Sequence, residues 1–87
     1  MKRRNLKKSI NNLCSELLAE CIALHNYENV DKDAVVNVIE SILMMQADMI
    51  CRVSHVEPKS GKAFFQKLRD DMVVRTESII DDIQALA

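Results

Sequence analysis

The segment from Val35 to Val56 constrains this chain more than any other. At about 100° per residue, Val35, Val38, Ile39, Ile42, Leu43, Met45, Met49, Ile50, Val53 and Val56 fall on one continuous arc. That arc covers about half the helix circumference, whereas a helix packed on one side shows an apolar stripe a little over ~100° wide. A helix this apolar needs cover on two sides at once. It is expected to be the central helix of a bundle or the seam of an oligomer.

The flanking segments supply the other helices. Leu6, Ile10, Leu13, Leu17, Cys21 and Leu24 recur at spacings of three and four, and Cys14 and Leu18 widen that stripe. They predict a helix over residues 5–25 with Asn5 as its N-cap. The polar cluster Asn26-Tyr27-Glu28-Asn29 breaks it. The central helix is predicted over 32–56, capped by Asp31 or Asp33. It stops before Pro58, since the residue preceding proline is pushed out of the helical region. Phe65, Leu68, Met72, Thr76, Ile79, Ile83 and Leu86 predict a third helix over 59–86. Pro58 in its first turn or Ser60 as its N-cap would start it. Arg75, at the edge of the stripe, is expected to snorkel.

One Gly and one Pro leave room for few turns, and no segment alternates with period two. The expected fold is all-α: an up-down-up antiparallel three-helix bundle forming one domain over residues 1–87, assembled into a larger helical bundle by dimerisation. With no Trp, one Tyr and two Phe, the core falls to Leu, Ile, Val and Met. A chain of 87 residues buries only ~60–65% of its unfolded surface, so a partner surface would add stability.

Some apolar residues lie off the stripes: Ile22, Met44, Val73, Val74 and Ile80. Contiguous exposed apolar surface marks interaction sites, and Met44, Val73 and Ile80 are the expected self-association contacts. Gln46 sits inside the central arc. A lone amide there either fixes register in a helical assembly or reaches solvent at a gap.

The net charge of −1 hides a sorted distribution. In the expected topology one end collects Lys2, Arg3, Arg4, Lys7, Lys8, Arg52, Lys59, Lys62, Lys67 and Arg69. The other collects Glu20, Glu28, Asp31, Asp33, Glu77, Asp81 and Asp82. Bases at the start of the first helix and acids at the end of the third oppose the helix dipoles, at about 0.3–1 kcal/mol per exposed charge. Two explanations follow: association that brings basic and acidic ends together, or an anionic partner such as nucleic acid held by Lys2, Arg3, Arg4, Lys7 and Lys8. The scarcity of aromatics disfavours single-strand stacking.

Catalytic and cofactor signatures are missing. Cys21 and His25, and Cys51 and His55, are each spaced four apart, as metal ligands on one helix face would be. In the expected hairpin the two histidines stand about 20–30 Å apart, so the pairs cannot meet within one subunit, although an antiparallel dimer could bring them together. No metal site is expected, and the thiols at Cys21 and Cys51 are read as small buried groups. Cys14 and Cys21, seven apart on one helix and about 10 Å apart, cannot form a disulfide. Three reduced thiols fit a cytoplasmic chain. The basic start resembles a signal peptide, but Asn11, Asn12, Ser15, Glu16 and Glu20 interrupt the apolar run it would need. In Leu18-Ala19-Glu20-Cys21 a lipoprotein site would need a small residue at Glu20. No run is expected to approach a membrane span.

The chain is therefore expected to be a small non-enzymatic helical interaction module without cofactor. Its partner is a second copy or another protein, and a nucleic-acid-associated accessory role is the alternative.

Overall fold

A computed structural model describes residues 3–55 and 61–86, with side chains from Arg4 onward. The fold is all-α: α1 spans Arg3–His25, α2 spans Lys32–Ser54 and α3 spans Gly61–Leu86, with no strand among the described residues. Lys2, the Arg3 side chain, Val56 as the end of α2, Lys59, and the start of α3 between Pro58 and Ser60 lie outside the described residues.

Each described helix end has an identifiable cause. Asp31, rather than Asp33, caps α2. Its Oδ1 accepts from the Asp33 N–H at 3.0 Å and the Ala34 N–H at 3.3 Å, and Asp33 adds negative charge to the first turn. Asn5 does not cap α1. The helix already includes Arg3 and Arg4, good helix formers, and the Asn5 carbonyl accepts from the Ser9 hydroxyl one turn on. At the far end of α1 the Asn26 and Tyr27 N–H groups close the last turn. Lys32 reaches back across the loop to donate to the His25 carbonyl at 2.7 Å. A cation there satisfies an orphan carbonyl and suits the dipole.

The core is one cluster drawn from all three helices. It comprises Ile10, Cys14, Leu17 and Cys21 of α1; Val35, Val38, Ile42, Met45, Met49 and Val53 of α2; and Leu68, Ile79 and Ile83 of α3. Six of these thirteen belong to α2, so α2 is the element on which the other two pack. α1 and α3 each lie against α2 and touch one another far less. No polar side chain is buried in this core.

Two expectations need correcting. Leu43, placed in the covered arc, is 48% exposed. Two flanking helices screen adjacent sectors of α2, and Leu43 lies beyond them. In addition, α2 is long and apolar enough to cross a membrane by length and composition, although no segment was expected to approach that. Only 28% of its apolar stretch is buried against the other helices.

Candidate functional site

The outer side of α2 is the most unusual surface of the molecule. At about 100° per residue, the arc from Ile39 round to Met44 spans about 140°. Between residues 34 and 53 it holds Val36, Ile39, Glu40, Leu43, Met44, Ala47, Ile50 and Cys51, and Glu40 is its one polar member. Val36, Leu43, Met44, Ala47 and Cys51 are exposed, while Ile39 and Ile50 are half-buried. On an ordinary bundle helix this sector is charged. Ile22 of α1, 58% exposed, adds a further uncovered aliphatic side chain. Cys51 is thus an exposed thiol rather than a buried one, because it sits in the sector that neither α1 nor α3 covers.

Met44 belongs to this side, and at 69% it is the most exposed large apolar residue described. Val73 and Ile80 do not join it. Val73 lies two residues from both Asp71 and Arg75, which make the charged bonds from α3 to α2, and so about 160° round the helix from each. Val73 instead lines a shallow groove with Leu13 of α1 and Arg69, Met72, Thr76 and Glu77 of α3. Ile80, two turns on, continues the strip. Met44 on the one hand and Val73 with Ile80 on the other therefore lie on two separate surfaces.

Opposite the outer side, α2 and α3 are tied by an ion network that reasoning from sequence missed. Arg75 Nη1 donates to Asp48 Oδ2 at 2.8 Å, and Arg52 Nη2 donates to Asp71 Oδ2 at 2.7 Å. Arg52 Nη1 also lies 3.7 Å from Asp48 Oδ2. The signal was present: Asp48-Met-Ile-Cys-Arg52 and Asp71-Met-Val-Val-Arg75 are two copies of one acid-to-base spacing, and each copy's acid bonds the other copy's base. Arg52, counted among the free charges of the basic end, is engaged here. Arg75 is also paired rather than simply snorkelling. Between α1 and α2, Gln46 Nε2 donates to Asn11 Oδ1 at 2.8 Å, so the amide inside the arc is matched by an amide on the neighbouring helix.

Arg4, Lys7 and Lys8 line an open depression with Asn5, Asn11 and Asn12. All three bases project from one stretch of α1, and no acid lines the same depression.

The thiols differ in character. Cys14 and Cys21 are fully buried. Burial pushes the Cys14 thiol above its ordinary value, and burial, then the charge of Glu20, does the same to Cys21. Both are held protonated, the opposite of what a thiolate nucleophile or metal ligand requires. Cys21 and half-buried His25 sit at the end of α1, while Cys51 and exposed His55 sit at the end of α2. Among the described residues no three His, Cys, Asp or Glu side chains gather as metal ligands would. No known protein family, curated protein or solved structure matches the chain.

Proposed function

We propose that this chain is a small cytoplasmic, non-enzymatic interaction module, an up-down-up antiparallel three-helix bundle that associates with further copies of itself. The carrying observation is the uncovered apolar side of α2, since contiguous exposed apolar surface of this kind marks contact with another molecule. The antiparallel course is supported by the pairs Asp48 with Arg75 and Arg52 with Asp71, in which residue numbers rise along α2 and fall along α3. The hydrogen bond from Lys32 to His25, at the adjoining ends of α1 and α2, supports the first reversal. With this course Arg4, Lys7 and Lys8 share an end with the beginning of α3, and Glu28, Asp31 and Asp33 share the other with Asp81 and Asp82. Met44 contributes to the α2 contact, and Val73 with Ile80 forms a second one.

Absolute mass by light scattering after size exclusion tests this, at low and at high salt. A species of at least twice the 9.9 kDa chain mass is expected. A monomer at both salts overturns the proposal. Loss of assembly in high salt would assign it to the opposed charged ends, and persistence would assign it to the apolar surface.

The depression lined by Arg4, Lys7 and Lys8 favours one alternative, a nucleic-acid-associated accessory role in which Lys2 and Arg3 also take part. It requires a mobility shift of mixed DNA or RNA that weakens steeply with salt. Absence of a shift at low salt removes it.

A further inference from the structure

The outer side of α2 carries enough detail to assign its occupant and the orientation of that occupant. We propose that it pairs with the same side of α2 in a second copy, the two helices running antiparallel about a two-fold axis that passes between Leu43 and Met44. This rests on the self-association reading above and specifies its geometry.

Three observations carry it. Exposed Val36 and Leu43 and half-buried Ile50 recur every seven residues along this sector, the repeat that lets one helix lie along another. Ala47, the smallest side chain in the sector, lets the two backbones approach closely. Glu40 then decides the direction. In a parallel pair Glu40 would face Glu40 within an apolar seam, a like-charge contact with loss of solvent. In the antiparallel pair Glu40 faces Ala47, from which its carboxylate reaches the rim, while Val36 faces Cys51 and Leu43 faces Met44.

The charges outside the seam agree. Arg4, Lys7 and Lys8 are uncompensated within their own depression on α1. Asp31 and Asp33 are exposed at the start of α2. Antiparallel pairing carries the first set toward the second set of the partner, whereas parallel pairing stacks like on like. Electrostatic complementarity of this kind sets orientation more than it sets affinity.

The native thiol reports the outcome. In the antiparallel pair the two Cys51 side chains are separated by about 22 Å along the seam, too far for a disulfide. Each instead faces Val36 of the other copy. The full chain carrying Val36→Cys is oxidised mildly beside the wild type, and the linked peptides are identified by mass spectrometry. On one rigid helix positions 36 and 51 cannot join, so a 36-to-51 disulfide is necessarily intermolecular. Such a link in the variant, with no dimer cross-linked through Cys51 in the wild type, is the expected result.

A Cys51-to-Cys51 disulfide in the wild type overturns the orientation. A dimeric mass with neither link overturns the α2 contact but leaves self-association standing. A monomeric mass overturns both, and co-sedimentation of that monomer with anionic phospholipid vesicles would assign the surface to a membrane instead. Because Val36 is exposed, its replacement leaves the core intact. Circular dichroism melting of the variant separates misfolding from loss of contact.

Discussion

Cys51 stands apart from the other two cysteines by position alone. It lies in the uncovered sector of α2, whereas Cys14 and Cys21 belong to the buried core. Alkylation of the native chain at neutral pH is expected to label Cys51 at least tenfold faster than either buried thiol, as peptide mapping would show. The buried pair also sets a pH response. Their pKa values are raised in the folded chain, so the unfolded chain releases protons first. Stability is therefore full below the ordinary thiol value and falls as pH rises past it. Urea melts at neutral and at alkaline pH should show this fall, reduced in Cys14→Ala. A second residue-scale expectation concerns the cap of α2. Asp31→Ala is expected to cost about 1 kcal/mol and Asp33→Ala less, because only Asp31 accepts the N–H bonds. Equal losses in denaturant melts would contradict that geometry. Sequence reading left these two acids tied, since both have the same chemistry and differ only in local backbone conformation.

At the scale of the helices, apolar spacing was the legible part. The stripes of α1 and α3 named from three- and four-residue spacing are the residues that pack, from Ile10 and Leu17 to Leu68, Ile79 and Ile83. The half-circumference of α2 misled. Width alone says that more than one neighbour is needed, but not which sector each covers, and Leu43 was placed inside on that ground. The repeated acid-to-base spacing is visible in the sequence, but which acid pairs with which base depends on the register between the helices. The Asp48–Arg75 and Arg52–Asp71 pairs illustrate this: each motif reads on its own helix as an ordinary exposed i,i+4 pair, and only the packing turns the two into a reciprocal lock. These groups are partly exposed, so each pair contributes about 0.2–1 kcal/mol. A charge swap should recover what a single reversal loses. Asp48→Arg alone is expected to destabilise, and combining it with Arg52→Asp, Asp71→Arg and Arg75→Asp, which inverts every pair of the network, to restore most of the loss, by thermal melts in low salt. No recovery would mean that these pairs do not set the register.

For the whole molecule, the separation of Met44 from Val73 and Ile80 means that the two apolar surfaces can be disabled independently. Ile80→Asp is expected to lower the assembly mass while leaving the melting temperature within a few degrees, since Ile80 is already 37% exposed. Unchanged mass would remove Ile80 from the contact. Sequence reasoning found these residues because they were off-stripe. Their division between two surfaces follows from the side of α3 that Asp71 and Arg75 turn toward α2.

The unequal packing of the outer helices carries one more consequence. α1 gives four residues to the core and α3, though longer, gives three, and the two barely meet. The α1–α3 side is thus the weakest of the three sides of the bundle. α3 is therefore expected to lift away first, while α1 and α2 keep the Asn11–Gln46 bond and the four buried side chains of α1. Amide hydrogen exchange should then resolve two classes of opening, with α3 exchanging at lower free energy than α1 and α2. In the lifted state Met45 and Met49 are bare on one flank of α2 while its outer side remains available on the other. The same helix would then offer two adhesive faces at once, a branched geometry from which long-lived aggregates grow. Loosening α3, which two ion pairs and three buried aliphatic side chains hold to α2, is therefore expected to promote aggregation.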